Sequence, residues 1–339
     1  MTGPEKLSVL LPVYNTRSDW LTVAIESVLN QTYREFELLL LNDGSTNPDT
    51  LATLAAFEKA DDRVRLIHNP ENMGLAKTLN RGLTLARYDW VARMDGDDIS
   101  EQQRFERQLA YLETHPEVSV LATALTTFGD QNEVLHYVEH HEDIAATMLW
   151  WGCCIPHPTV LYRKAAILKA GGYPTDYPNA EDYALWAKLV AHHPDVRFAV
   201  VPEVLFNYRV TLSRPEYYET QRTSTIRIKE ALFSDLGLSS QTVRMWSKPA
   251  LRLTGRELRE YEESLSRDFE ILKQHPFLSE SLIREHLSYI IRKAVKRALP
   301  SPYALQRAGS LLLRREAYLD SLFPRKAPTK PASDSLYSK

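Results

Sequence analysis

Residues 7–45, LSVLLPVYNTRSDWLTVAIESVLNQTYREFELLLLNDGS, decide the fold. The apolar run over 8–12 ends at a proline and predicts a buried strand. A helix capped by Asp19 is predicted next, because apolar residues then recur at helical spacing: Leu21, Ala24, Ile25, Val28 and Leu29. A second strand is predicted over 36–41. A strand, a helix and a strand in this order predict a parallel unit of an α/β sheet.

The same alternation continues to residue 94. The sequence predicts a strand over 64–67, a helix over 74–87 and a fourth strand over 89–94. The fold class expected is therefore α/β, with a mainly parallel, Rossmann-like sheet flanked by helices. Ligands of such sheets bind beyond the carboxyl ends of the strands, so the polar residues at those ends are candidates for a site.

Three strand ends are polar, namely 12–15 (PVYN), 42–46 (NDGST) and 95–98 (DGDD). Neither a Gly-x-Gly-x-x-Gly fingerprint nor a Gly-x-x-x-x-Gly-Lys-Ser/Thr loop occurs anywhere in the chain. Both absences argue against a dinucleotide-binding fold and a P-loop. The polar ends therefore point to a different class of ligand site.

The acidic turn Asp95-Gly96-Asp97-Asp98 carries three carboxylates in four residues. Such groups repel one another unless a cation joins them, and Gly96 allows the turn to bring the outer carboxylates together. Mg²⁺ takes oxygen ligands, typically one or two carboxylates together with substrate phosphates. The alternative is an acidic turn that precedes a helix and binds nothing.

Composition excludes several classes of protein. The 339 residues are 44% apolar and 25% charged, which suits about two globular domains and excludes a disordered or collagen-like chain. The two cysteines, Cys153 and Cys154, are neighbours and cannot form a disulfide framework, so we expect a cytoplasmic protein. No apolar run approaches the roughly 18 residues of a membrane span. No nucleic-acid partner is expected.

Beyond residue 215 the pattern becomes helical, with helices predicted over 216–236, 255–274, 279–299 and 303–322. We therefore expect an α/β domain over 1–215, a helical C-terminal region over 216–323 and a disordered tail over 324–339. Residues 281–330 hold eleven Lys and Arg against three acidic residues, in a chain of net charge −3. A basic amphipathic helix there predicts docking on an anionic membrane, peripherally on the inner face of the cell membrane. The alternative is packing on the first domain or on a second subunit.

Nine short motifs occur in a fixed order: VLLPVYN (9–15), SVLNQT (27–32), NDGS (42–45), NMG (72–74), ARMDGDDIS (92–100), RF (104–105), HPTV (157–160), GGY (171–173) and AEDYALW (180–186). Together they resemble the nucleotide-sugar-dependent glycosyltransferases of family 2, which have the GT-A fold. The resemblance covers roughly residues 6–210. It implies an inverting transfer of a sugar, with a UDP-sugar as the expected donor and Mg²⁺ or Mn²⁺ as cofactor.

The resemblance also places the donor. By analogy, Pro12, Val13, Tyr14 and Asn15 hold the base and ribose, and Asp43 accepts from the imide N–H of uracil. Asn72 and Lys77 lie near the nucleotide and diphosphate, whereas Arg93, Asp95 and Gly96 flank the sugar and ribose. Asp97 is the expected metal ligand, assisted by Asp95 or Asp98. As alternatives, Asp43 is a turn residue and Lys77 is simply exposed.

The acceptor side rests on Glu181 and Asp182. In similar enzymes the aspartate of this pair is the general base, although acids at a helix start are common for structural reasons as well. Trp186 is expected to form a sugar-stacking surface and His157 to line the acceptor side. The alternatives are that Trp186 is core and that His157 only fixes a loop.

One position departs from the family pattern. Thr211 stands where many relatives have a histidine that reaches the metal or diphosphate, which puts coordination by this segment in doubt. Arg209 or Arg214 is the candidate to neutralise the diphosphate instead. The acceptor implied is a surface polysaccharide or a lipid-linked oligosaccharide. A nucleotidyltransferase and a catalytically degenerate glycan-binding or scaffold module are the alternatives.

Overall fold

A computed structural model describes residues 6–211, 215–239, 253–274, 280–298 and 301–313, with the single residues 278 and 322. The chain divides into two compact units, residues 1–235 with 276–278, and residues 236–275 with 279–339. The helix that opens the predicted C-terminal region therefore belongs to the first unit, and the division falls after Asp235 instead of after residue 215. The tail predicted over 324–339 lies outside the described residues.

The first unit is built from nine described strands and eight helices. The strands are β1 (Leu7–Val13), β2 (Phe36–Asn42), β3 (Val64–His68), β4 (Trp90–Arg93), β5 (Ile99–Ser100), β6 (Val118–Gly129), β7 (Val134–Leu135), β8 (Leu161–Arg163) and β9 (Arg197–Val210). The helices are α1 (Ser18–Leu29), α2 (Pro48–Ala60), α3 (Leu75–Leu85), α4 (Arg104–Thr114), α5 (His141–Trp150), α6 (Lys164–Lys169), α7 (Glu181–His192) and α8 (Pro215–Asp235).

The sheet order explains why the polar strand ends meet. Its strands run in the order β3-β2-β1-β4-β8-β6-β9-β5, with β7 paired to β6. The first four are parallel, and Leu10 of β1 lies opposite Leu39 of β2 and Arg93 of β4. The ends of β1, β2 and β4 therefore lie along one edge, as predicted.

The second half of the sheet is mixed. Strand β8 runs antiparallel to both β4 and β6, and β5 runs antiparallel to β9, whereas β6 and β9 are parallel. The prediction of a mainly parallel sheet thus holds for β1 to β4 but does not extend across the whole sheet.

The core explains the near-continuous apolar runs of the first two strands. Neither strand alternates regularly between apolar and polar residues, because β1 and β2 are buried on both faces, as parallel strands usually are. The predicted face of α1 is also buried, with Leu21, Ala24, Ile25 and Val28 all inaccessible. The sheet edge that carries the site is therefore supported by a rigid core.

The second unit contains α9 (Gly255–Leu272), α10 (Glu280–Ala298) and α11 (Pro302–Leu313), with Thr254 and Glu257 forming a capping box at the start of α9. The apolar face predicted for α10 comprises Ile283, Leu287, Ile290, Ile291, Ala294 and Ala298. All of these except the half-buried Ile290 are buried in this unit, where α10 packs on α9 and α11. That face is consequently not free to lie in a lipid interface. Among the described helices, none is both long and apolar enough to cross a membrane.

Candidate active site

Side chains of the β1 and β2 ends fasten these ends to each other. Asn15 adopts a left-handed conformation with φ 49°, and its Oδ1 accepts from the backbone N–H groups of Thr46 (2.8 Å) and Asn47 (2.9 Å). Asn42 Oδ1 accepts from the Ser45 N–H at 2.9 Å. Tyr14 remains 52% exposed beside this junction. The residues at these two strand ends, 12–15 and 42–46, therefore form an ordered surface, which we call the shelf. The exposed ring of Tyr14 is part of it.

Asp43 holds the next loop in place. Its Oδ1 accepts from Asn69 Nδ2 (2.7 Å), Thr78 Oγ1 (2.7 Å) and the Met73 N–H (2.9 Å), and its Oδ2 accepts from the Gly74 N–H (2.9 Å). Four internal donors to one buried carboxylate make Asp43 a structural anchor of the 72–74 turn. Only Oδ2, with a single donor, retains capacity to accept a further hydrogen bond from a base.

The acidic turn is balanced by a buried arginine. Arg93, at the end of β4, donates from both terminal nitrogens to Asp95, with distances of 2.6 Å and 2.5 Å. The Arg93 side chain is 2% exposed and that of Asp95 is 28% exposed. A bidentate pair in this setting fixes the orientation of the Asp95 carboxylate at the cavity wall.

Asp97 and Asp98 face different surroundings. Asp97 lines the cavity, and burial together with the charge of Asp95 raises the pKa of Asp97 to about 6. Asp98 is 1% exposed, does not line the cavity, and accepts from the Arg209 N–H at 2.8 Å. Arg209 also donates from Nε to the Asp97 carbonyl oxygen at 2.9 Å. Asp98 therefore ties the acidic turn to the end of β9, and we leave it out of the ligand set.

Asp97 suits a hard divalent cation. No ion pair involves its carboxylate within the described part of the chain, and burial leaves its negative charge poorly compensated. No cluster of three or more His, Cys, Asp or Glu among the described residues is arranged to hold a metal. Asp97 and Asp95 would fit the magnesium mode of one or two carboxylates completed by substrate phosphates.

The acidic pair Glu181 and Asp182 stands at the start of α7 and lines the same cavity. Burial and the charge of Asp182 raise the pKa of Glu181 to about 7, and burial raises the pKa of Asp182. The Cys153 thiol donates to Asp182 Oδ2 at 3.6 Å. Burial and the Asp182 charge in turn raise the pKa of Cys153 well above its usual value.

The acidic turn and the acidic pair line one cavity of about 710 Å³. Six predicted site residues line it: Arg93, Asp95, Asp97, His157, Glu181 and Asp182. Arg209 and Thr211 also line it, whereas Arg214 lies outside the described residues. A volume of this size accommodates a ligand of drug-like or larger dimensions.

The remaining predicted site residues do not line this cavity: Pro12, Val13, Tyr14, Asn15, Asp43, Asn72, Lys77, Gly96, Asp98 and Trp186. Half of them lie on the shelf at the ends of β1 and β2. Lys77 is exposed on α3, in accord with the alternative given for it. A Cβ added at Gly96 would meet Leu21 and Leu11 at ordinary van der Waals distance, so an alanine would fit at this position of the turn.

Trp186 does not form a sugar-stacking surface. It is 0% exposed and packs edge-on against His157, Tyr162 and Phe198, so the core alternative describes it. His157 lines the cavity and bonds through Nε2 to the Tyr173 hydroxyl at 3.0 Å. Burial and nearby Arg93 lower the pKa of His157 well below its usual value, which keeps the ring neutral.

Several cavity residues were not predicted as site residues, among them Cys153, Tyr208, Tyr217 and Tyr218. The tyrosines are 38–49% exposed. The three tyrosines fall within eleven consecutive positions of the sequence, and this clustering could have marked them as candidate site residues. The hydrophobic periodicity of the sequence did not predict that α8 packs beside the acidic pair.

Comparison with known proteins decides the family. The family model described as glycosyl transferase family 2 matches residues 8–168. A Haemophilus influenzae protein named as an uncharacterized glycosyltransferase is 37% identical over 211 residues, covering 60% of this chain and 76% of its own.

The chain belongs to glycosyl transferase family 2.

A second family 2 relative, the Escherichia coli O-antigen biosynthesis glycosyltransferase WbnJ, is 31% identical over 61% of this chain and 80% of its own length. The resemblance inferred from the motifs is thereby confirmed, and the enzyme class is glycosyltransferase. The name of WbnJ assigns that relative to O-antigen biosynthesis.

Solved structures confirm the GT-A fold of this family 2 member. S. aureus TarS 1–349, in complex with UDP-GlcNAc, superposes with a TM-score of 0.54 at 17% identity, covering 91% of this chain and 92% of the other. A mannosyltransferase from Pyrobaculum calidifontis, in complex with GDP-Man and Mn²⁺, gives a TM-score of 0.50 at 15% identity, with 95% and 86% covered.

Proposed function

We propose that this family 2 enzyme transfers a sugar from a UDP-sugar to a glycan hydroxyl, with inversion at the anomeric carbon. The observation that carries the proposal is the shared cavity, which both Asp97 and Asp182 line. The UDP-GlcNAc complex of TarS and the O-antigen role in the name of WbnJ support the donor and acceptor classes.

The donor half would use the strand-end shelf and the acidic turn. Asp43 Oδ2 keeps capacity for a uracil imide, and exposed Tyr14 offers a ring beside the base. Asp97 and Asp95 would hold Mg²⁺ or Mn²⁺, which when bound offsets the negative charge of the departing diphosphate. Arg209 lines the same wall and supplies a cation where the family pattern has a histidine two positions later.

The acceptor half would use Asp182. Its carboxylate accepts the proton of the attacking hydroxyl while that oxygen forms a bond to the anomeric carbon and the bond to the diphosphate oxygen breaks. Because attack comes from the side opposite the leaving group, the product has the inverted configuration. Burial raises the pKa of both Glu181 and Asp182, and the charge of nearby Arg93 opposes that rise, which favours the ionised base.

Product analysis tests the proposal against the nucleotidyltransferase and scaffold alternatives. The full chain is screened by thermal shift against UDP- and GDP-sugars, with and without Mn²⁺, and the donor that stabilises it is then offered to acceptor glycosides. Release of UDP with an inverted linkage in the NMR spectrum supports the proposal. Release of pyrophosphate, a retained configuration or no nucleotide-dependent stabilisation refutes it.

The membrane surface is a separate proposal that rests on charge alone. Arg284, Arg292 and Lys296 of α10 lie on the helix whose apolar face is buried within its own unit. Contact with an anionic leaflet would therefore be electrostatic, worth about 1 kcal/mol for each basic residue. Sedimentation with phosphatidylglycerol vesicles that is lost in about 0.5 M salt supports it, and equal sedimentation with neutral vesicles refutes it.

A further inference from the structure

Exposed tyrosines gather at the cavity that holds the acidic pair. Among the described residues, five aromatic side chains are at least 38% exposed, and three of them, Tyr208, Tyr217 and Tyr218, line this cavity. Aromatic rings usually bury most of their surface in the core. Their concentration at one opening indicates a ligand that covers them.

Two of these rings form a corner. The rings of Tyr217 and Tyr218, in the first turn of α8, have centroids 5.7 Å apart and planes at 90°. Tyr217 lines the same cavity as Glu181 and Asp182, and burial, followed by the charges of these two carboxylates, raises the pKa of Tyr217 to about 12. The corner therefore adjoins the carboxylate that we assign as the base.

Helix α8 is fastened to the loop that leads into the acidic pair. Ser224 Oγ donates to the Pro178 carbonyl at 2.9 Å, Arg227 donates to the Asp176 carbonyl at 2.9 Å, and Asn179 Nδ2 donates to the Tyr217 carbonyl at 3.4 Å. Asn179 itself has φ 62°, a left-handed conformation that turns the chain toward Glu181. The tyrosines and the base are thus held in a fixed relation before any ligand binds.

The chemistry of this corner matches a sugar ring. A pyranose presents an apolar face of C–H groups that packs on an aromatic ring, and hydroxyls at its edge that need polar partners. Asn179 and Gln221 line the same part of the cavity and supply such partners. A lipid chain would instead need a continuous apolar groove, which these two amide side chains interrupt.

We propose that Tyr217 and Tyr218 form the acceptor subsite and bind the sugar ring whose hydroxyl is glycosylated. This inference rests on the proposed function, because the acceptor hydroxyl must reach Asp182. It replaces the stacking role expected for Trp186, which is buried, with rings from the following helix.

Saturation-transfer NMR on the full chain tests the subsite. The probes are methyl pyranosides of glucose, galactose, N-acetylglucosamine and rhamnose, each added with UDP and Mn²⁺. Ring protons of at least one glycoside should receive saturation. Each of Tyr217→Ala and Tyr218→Ala removes about 50 Å² of apolar contact, so each should weaken the binding of that glycoside about tenfold. The Phe variants should retain binding, and so should Leu168→Ala, which shortens a 45% exposed side chain away from the cavity.

The outcomes separate the subsite from the proposed function. Failure of UDP to bind the wild-type chain, read from the uridine protons in the same spectra, refutes the proposed function. If UDP binds, the subsite is overturned by any of three results: no glycoside binds, binding is indifferent to both Ala variants, or saturation reaches only the methyl aglycone. Phe variants as weak as the Ala variants also overturn stacking.

Discussion

Replacing Arg93 by Met removes the cation that balances the site while keeping a side chain of similar length. Arg93 is buried, pairs bidentately with Asp95, and opposes the rise that burial causes in the pKa values of Asp97, Glu181 and Asp182. Breaking a buried pair by removing one partner costs about 3–5 kcal/mol. Because Asp95 is 28% exposed and can turn to water, we expect the lower end, about 3 kcal/mol.

The assay is urea and thermal unfolding followed by tryptophan fluorescence. Five of the six tryptophans lie within residues 1–235, so the signal reports mainly on the unit that contains Arg93. A loss of about 3 kcal/mol corresponds to a melting temperature lower by about 6–12 °C for a unit of this size. The double variant Arg93→Met with Asp95→Asn should recover much of the loss, because no uncompensated charge then remains at that pair.

The pH dependence of the stability loss in Arg93→Met provides a second test of this prediction. Without Arg93, the folded-state pKa values of Glu181 and Asp182 rise further above their unfolded values. Carboxyls with raised pKa values lose stability as pH rises, so the deficit of Arg93→Met should be larger at about pH 8 than at about pH 5.5. Equal unfolding midpoints of variant and wild type, or a deficit that shrinks as pH rises, would refute the reasoning.

Three further substitutions probe the scaffold of the site. Asp43→Asn places an amide nitrogen against a backbone donor, so it should cost about 2 kcal/mol in urea unfolding and weaken UDP binding; unchanged stability contradicts the anchoring role. Asp182→Asn removes the charge that helps raise the Cys153 pKa, so iodoacetamide should label Cys153 several-fold faster at about pH 8 by peptide mass spectrometry; an equal rate would show that the two side chains are apart. Gly44→Ala should lower the melting temperature, because Gly44 has φ 72° and an added Cβ overlaps the backbone of Glu71.

The glycine substitution has a matched control. Gly237 has φ 73°, nearly that of Gly44, with no atom within 4 Å of an added Cβ, so Gly237→Ala tests backbone strain without the overlap. A loss of unfolding free energy in Gly44→Ala no larger than in Gly237→Ala would contradict the close approach.

The N-terminal half of the fold was predictable because each element carries its own local pattern. The apolar runs of β1 and β2 and the 3.6-residue period of α1 fix those elements within a residue or two. The pairing of β6 with β9 could not be predicted, because these strands lie far apart in sequence and no local pattern selects their partners.

The site was predictable in its charges and not in its surfaces. Asp97 and Asp182 could be singled out because carboxylates clustered at strand and helix ends repel one another and often mark a functional site. Both residues line the cavity. Trp186 could not be assigned to core or site, because an aromatic residue on an amphipathic helix has the same spacing in either case. The buried face of α10 posed the same ambiguity between lipid and protein.

The most direct test of the account is the kinetics of Asp182→Asn beside the UDP affinity of the same variant. We expect turnover of the accepted UDP-sugar to fall by about 10²-fold or more while UDP affinity stays within about twofold of wild type. The companion variant Asp97→Asn should instead lose the Mn²⁺-dependent part of UDP affinity. Full turnover in Asp182→Asn, with UDP bound normally, would remove Asp182 from the chemistry and contradict the central claim.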